Sequence, residues 1–98
     1  MTFDKREELI SLYDTYSSLL TDKQKAYFEE YYFDDLSFSE IASNHNISRN
    51  GVFDQIKRVA SILSDYEDKL KLVKKSKMIE ELNISDDIKT QILDIIKE

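Results

Sequence analysis

Apolar side chains recur along this chain at helical spacing, and the breaks between them coincide with helix-capping residues. Leu9, Tyr13, Tyr16 and Leu20 follow one another at intervals of four, three and four, widened by Leu12 and Leu19. That period keeps one stripe of an α-helix turned toward a core and predicts a first helix from about Asp4 to Leu20. Thr21-Asp22-Lys23-Gln24 then reads as a capping box. In this motif the Thr hydroxyl and the Gln side chain each satisfy a backbone N–H that has no partner within the helix. The second helix presents Tyr27, Phe28, Tyr31 and Tyr32. It is expected to end near Phe33, because Asp34 and Asp35 are unfavourable at the negative end of a helix dipole.

Ser37-Phe38-Ser39-Glu40 is a second capping box and opens a third helix, with Ile41 and Ala42 inward and a stop near Asn44. His45-Asn46-Ile47 forms a turn, since Asn accepts a left-handed backbone at low cost, and Ser48 caps a fourth helix. From there Val52, Ile56, Val59, Leu63, Tyr66, Leu70 and Val73 alternate spacings of four and three. This coiled-coil-like stripe predicts a long helix, packed either on its own chain or on a second copy. Two short helices follow, over about Ser76 to Leu82 and Asp86 to Lys97, separated at Asn83 and capped by Ser85. Met78, Ile79, Leu82, Ile88, Ile92, Leu93 and Ile96 are their expected buried faces.

With one Gly and no Pro in 98 residues, the chain lacks the turn residues that strands and hairpins need. The expected fold class is therefore all-α: one domain over 1–98, with a helix-turn-helix core over 20–63. The long-helix extension and C-terminal helices over 64–98 form a dimerisation or partner surface. The absence of Cys removes disulfides, thiol nucleophiles and thiolate metal sites, and fits a reducing cytosol. No apolar run reaches the roughly 18 residues of a membrane span, and MTFDKREELI, charged from Asp4 onward, lacks the apolar run expected of a signal peptide. The expected location is cytoplasmic, without membrane insertion.

The net charge of −6 is unevenly distributed. Residues 48–77 hold eight basic and four acidic side chains, a local +4, while the remainder holds six basic and sixteen acidic, or −10. The basic segment suits nucleic acid, and equally suits the chain's own acidic helices or an acidic partner.

A helix-turn-helix needs a small residue where its helices cross, a left-handed residue in the turn, and apolar positions after the turn and inside the second helix. Ala42, Asn46, Ile47 and Val52 stand at those places, with Ile41 and Ile56 completing the packing. Leu20-Thr21 through Gln24, Leu36-Ser37 through Ile41-Ala42, and Ile47-Ser48 through Val52 resemble region 4 of sigma-70-type factors over about 45 residues. The whole chain, including YYFDDLSFSEIA, ISRNGVFDQIKR and the isoleucine-rich C-terminus, is more similar still to the YlxM family of small bacterial helix-turn-helix proteins. Genes of that family lie beside those of the signal-recognition-particle GTPase and its receptor. The resemblance implies a bacterial, regulatory, non-enzymatic protein in or near the signal-recognition-particle pathway. It implies DNA or signal-recognition-particle RNA as ligand, and that GTPase as a protein partner.

Carried over from sigma region 4, the nucleic-acid contact positions fall on Arg49, Asn50, Phe53 and Asp54, with Lys57 and Arg58 farther along. Arg49 suits guanine or phosphate, and Asn50 suits adenine. Phe53 and Asp54 replace the basic or amide residues usual there, and an Asp facing phosphate lowers affinity. A second reading therefore stays open, in which the motif is a scaffold and the long helix and C-terminal helices make a homodimer or bind the GTPase. Lys69, Lys71, Lys74, Lys75 and Lys77 are the candidate RNA or partner contacts; the plainer alternative is a solvated helix face.

Other features have structural explanations. His45 is the only histidine, lacks a recognisable catalytic partner, and is expected at the solvent edge of the turn. Glu29, Glu30, Asp34 and Asp35 do not have calcium-loop spacing and are expected to form a solvated acidic face. Most aromatics fall at core spacing, but Phe38 and Phe53 stand apart, and Phe53 cannot point the same way as Val52. The sequence offers no candidate catalytic residue, metal ligand set, cofactor site or small-molecule substrate site.

Overall fold

A computed structural model describes residues 2–97, with side chains from Lys5 onward. Every regular element among the described residues is helical: α1 (Thr2–Tyr16), α2 (Asp22–Tyr32), α3 (Phe38–His45), α4 (Arg49–Leu70), α5 (Leu72–Glu80) and α6 (Asp86–Lys97), with a 3-10 turn over Ser17–Leu19. The fold is all-α, as the patterning implies.

Helix α4 is the organising element, packing against α1, α2 and α3. Its inward residues serve two apolar clusters. Val59 and Leu63 join Leu9, Leu12, Tyr13, Tyr16, Leu20 and Phe28. Val52 and Ile56 join Tyr27, Ile41 and Ala42. Phe28, Ile41, Val52, Val59 and Leu63 are completely buried. Removing a side chain of this kind from a core typically costs about 2–5 kcal/mol. Tyr13 stacks on Phe28, with ring centroids 4.3 Å apart and planes nearly parallel, and its hydroxyl donates to Glu29.

Both capping boxes form. Thr21 and Ser37 each accept from the backbone N–H three residues on, at 3.1 Å, while Gln24 and Glu40 reach back at 2.9 Å. The α2–α3 connection turns through Asp35, which adopts left-handed φ 55°, a conformation that Asp and Asn tolerate better than most residues.

Several expectations are corrected. Helix α1 stops at Tyr16 rather than Leu20, and the 3-10 turn leaves Leu19 exposed rather than in the apolar stripe. The fourth helix does not continue through Val73. It ends at Leu70, and Lys71 takes φ 57° and ψ 32° before α5 begins at Leu72 rather than near Ser76. The seven-residue stripe is thus divided between two helices. The interruption is stabilised from elsewhere in the chain. The first N–H groups of α5 have no capping side chain from Lys71. Instead Leu72 N–H donates to Tyr16 Oη at 3.1 Å, while Val73 and Lys74 N–H donate to the Glu67 carboxylate at 3.1 and 3.0 Å. A carboxylate at a helix N-terminus also interacts favourably with its dipole.

The C-terminal helices differ from expectation too. They pack on each other, and Ser85 caps α6 by accepting from Ile88 N–H at 3.3 Å. Yet no residue of α5 or α6 is buried. Met78, Leu82, Ile88 and Ile95 are all exposed: α1 meets the start of α5, where Leu72 and Val73 reach the core, but these four side chains stay open.

Candidate nucleic-acid interface

The α3–α4 unit has helix-turn-helix geometry. Asn46 adopts φ 56° and ψ 44°, with its N–H bonded to Ala42 O, and Ile47 N–H reaches the same carbonyl at 3.1 Å. Ser48 caps α4 by accepting from Gly51 N–H at 2.9 Å. Ala42 is buried at the crossing, beside Ile41, Val52 and Ile56.

A clamp between α2 and α3 holds the unit from behind. Glu30 accepts from Asn44 Nδ2 at 3.0 Å and lies 2.6 Å from His45 Nε2. The His45 ring packs against Tyr27, with centroids 4.5 Å apart. Burial pushes the Glu30 carboxyl pKa up, but the hydrogen bonds from Asn44 and His45, with the His45 charge, outweigh it and hold the group below its ordinary value. His45 is therefore the last helical residue and half-buried, not a solvent-edge turn residue, and Glu30 is not part of a solvated acidic face. These partners lie 14 and 15 positions apart, a separation without a local sequence signature.

The clamped unit turns Arg49, Asn50, Phe53, Lys57 and Arg58 outward, and all five are exposed. Their positions follow from the inward set Val52, Ile56 and Val59, since residues three and four apart share a helix face. Asp54 is exposed among them. Phe53 is 49% exposed, as its conflict with Val52 demands. Its ring meets Phe38 edge-on, with centroids 6.0 Å apart, and Lys57 Nζ lies 5.8 Å from the ring centre. Phe38 in turn stacks on Tyr31 at 5.2 Å.

The five lysines between 69 and 77 are all exposed but do not share one face. Lys69 sits at the end of α4, 3.1 Å from Asp65, an exposed pair of the kind that contributes little. Lys71 is the left-handed junction residue. Lys74 and Lys77 line a groove with Glu7, Glu8 and Glu67, whereas Lys75 borders an apolar hollow with Met78, Ile79, Leu82 and Ile96. The change of direction at Lys71 disperses a run that is continuous in sequence.

At the junction, burial raises the Tyr16 hydroxyl pKa and the Glu67 hydrogen bond raises it further, to about 12, against a smaller opposing effect of Leu72 N–H. Burial also pushes the Glu67 carboxyl up, but hydrogen bonds from Tyr16, Val73 and Lys74 and the charge of Lys71 bring it below its ordinary value. No helix among the described residues is long and apolar enough to cross a membrane.

Comparison with known proteins agrees with this geometry. Residues 3–98 match the model of a family described as "Putative helix-turn-helix protein, YlxM / p13 like". A UPF0122 protein of Fusobacterium nucleatum is 44% identical over 100 residues, spanning 100% of this chain and 97% of its own length. The UPF0122 protein YlxM of Bacillus subtilis is 48% identical over 75 residues, 76% of this chain and 68% of that protein. The UPF0122 protein YofM of Lactococcus lactis is 45% identical over 86 residues, 84% of this chain and 78% of that protein.

Proposed function

The chain belongs to the UPF0122 family of YlxM- and p13-like helix-turn-helix proteins, and on that footing we propose that it is a non-enzymatic regulatory protein that contacts nucleic acid through α4. The observation that carries this reading is the exposed set Arg49, Asn50, Phe53, Lys57 and Arg58, presented by a turn that Asn46 closes and Glu30 clamps. Three cations and an amide on one outward surface supply both phosphate attraction and a hydrogen-bonding edge. The family resemblance directs the search to the signal-recognition-particle pathway in the cytoplasm. The nucleic acid is then duplex DNA or the particle's RNA.

The test is a fluorescence-anisotropy titration of both nucleic acids at low and near-physiological salt, with wild type and the triple variant Arg49→Glu, Lys57→Glu, Arg58→Glu. Binding that persists at physiological salt in the wild type and is lost in the variant is the expected result. Equal behaviour of the two proteins would remove the reading.

The exposed apolar surface of α5 and α6 favours a second contact. Met78 is 58% and Ile95 72% exposed, and apolar patches of this kind mark protein–protein surfaces. A second copy of the chain covers this face in the proposed homodimer, which would present two α4 helices to one ligand. The signal-recognition-particle GTPase is the other partner that would use it. Sedimentation of wild type and of Met78→Glu with Ile95→Glu tests the point. A wild type that is monomeric at all concentrations and has no affinity for the GTPase excludes it.

A further inference from the structure

An aromatic notch sits at the N-terminal end of the outward α4 surface, against α3. It is lined by Phe38, Ser48, Arg49, Asn50 and Phe53. Phe53 is half-exposed, although the helix has interior positions for apolar side chains and uses them at Val52 and Ile56. Its ring is braced edge-on by Phe38. Phe38 stacks on Tyr31, and both pack against the second core cluster. The notch therefore has a wall anchored to the core and an aromatic side chain open to solvent. Around it stand an amide at Asn50 and cations at Arg49 and Lys57, with Lys57 close to the Phe53 ring.

From this arrangement we infer that the notch receives an unpaired nucleobase, and that the ligand of α4 is a single-stranded segment rather than the major groove of a duplex. The inference rests on the nucleic-acid reading above and specifies its ligand. A base offers a π-face to an aromatic ring and a hydrogen-bonding edge to an amide, which is how unpaired bases are commonly held. In a major groove a phenylalanine has little to read beyond the thymine methyl. Charge points the same way. A groove surrounds a recognition helix with phosphates on both sides, and exposed Asp54 on that surface is repelled by both backbones. A single strand needs only one cationic track. Arg49 and Lys57 provide it, with Phe53 between them at intervals of four residues along one helix face.

Anisotropy titrations of the full chain at near-physiological salt, with labelled single-stranded RNA, single-stranded DNA and their duplexes at matched length, test the inference. Single strands should bind more tightly than duplexes, and the RNA and DNA arms identify which strand is preferred. Phe53→Leu keeps an apolar side chain but cannot stack. It should weaken single-strand binding by about 5- to 100-fold and duplex binding by a smaller factor. Phe53→Trp should retain binding. Because the chain contains no other Trp, quenching of its emission by a bound base would report stacking directly. Preference for duplex, or single-strand binding indifferent to Phe53→Leu and without quenching, overturns the inference while leaving nucleic-acid binding intact. No binding to any oligonucleotide overturns both.

Discussion

Tyr16 and Glu67, 51 positions apart, join through a hydrogen bond of 2.5 Å from the phenol to the carboxylate. Both also accept N–H groups from the first turn of α5. A helix start is thereby capped by residues from two other helices, α1 and α4. Glu67→Ala removes the acceptor for two N–H groups and should lower stability by about 1–3 kcal/mol. Tyr16→Phe, which orphans Leu72 N–H but leaves Glu67 Oε1 its bond from Val73 N–H, should cost about 1 kcal/mol. Urea denaturation followed by circular dichroism reads both, and unchanged midpoints would mean that the cap is not formed in solution.

The same pair gives a signed pH dependence. Glu67 titrates below its ordinary value of 4.5 when folded. Its contribution is therefore present above that value and is lost as pH falls through the lowered folded pKa. Tyr16 is shifted upward, from 10.0 to about 12, so its contribution is present below pH 10 and lost as pH rises through about 12. The stability gap between wild type and Glu67→Gln should accordingly shrink on acidification below the ordinary carboxylate range. A gap independent of pH in that range would contradict the assignment.

Asn46 and Lys71 share nearly the same left-handed backbone, φ 56° and 57°, but not the same suitability for it. Ala at position 46 should lose about 1 kcal/mol, while Asn46→Gly should be close to neutral. Lys71→Gly should gain up to about 1 kcal/mol, because Lys is a poor left-handed residue. For a domain of this size that corresponds to roughly 4–8 °C in melting temperature per kcal/mol, within reach of a thermal melt.

If α4 contacts phosphates through Arg49 and Lys57, each neutralised separately to Ala should reduce the slope of log affinity against log salt by about one. Lys69→Ala, on the dispersed lysine run and already beside Asp65, should leave the slope unchanged. A slope that responds equally to all three would mean diffuse attraction rather than a defined contact.

How much of this was legible beforehand depends on how local each cause is. Thr21 with Gln24, Ser37 with Glu40, and Ser48 with Gly51 act within four residues, so the starts of α2, α3 and α4 follow from sequence. Asn46 was legible because its conformational tolerance is intrinsic. The outward direction of Phe53 followed from the inward requirement at Val52. By contrast, the end of α4 at Leu70 depends on Tyr16, far away in the chain, while the local 4-3 spacing through Val73 favours an unbroken helix. The Glu30 clamp on Asn44 and His45 requires two helices to meet face to face, which no single-helix period encodes. The C-terminal positions Met78, Leu82 and Ile88 have the spacing of buried residues, but periodicity identifies a face and not what covers it.

The left-handed residue at position 71 also divides the chain by how tightly its amides should be held. Before it, α4 is anchored through Val52, Ile56, Val59 and Leu63; after it, no described residue is buried. Amides of α4 should then exchange with solvent deuterium only through global unfolding, whereas those of α5 and α6 can exchange through opening of the hairpin alone. The two protection levels should meet at Lys71, and anything that covers the hairpin would raise the lower one toward the higher.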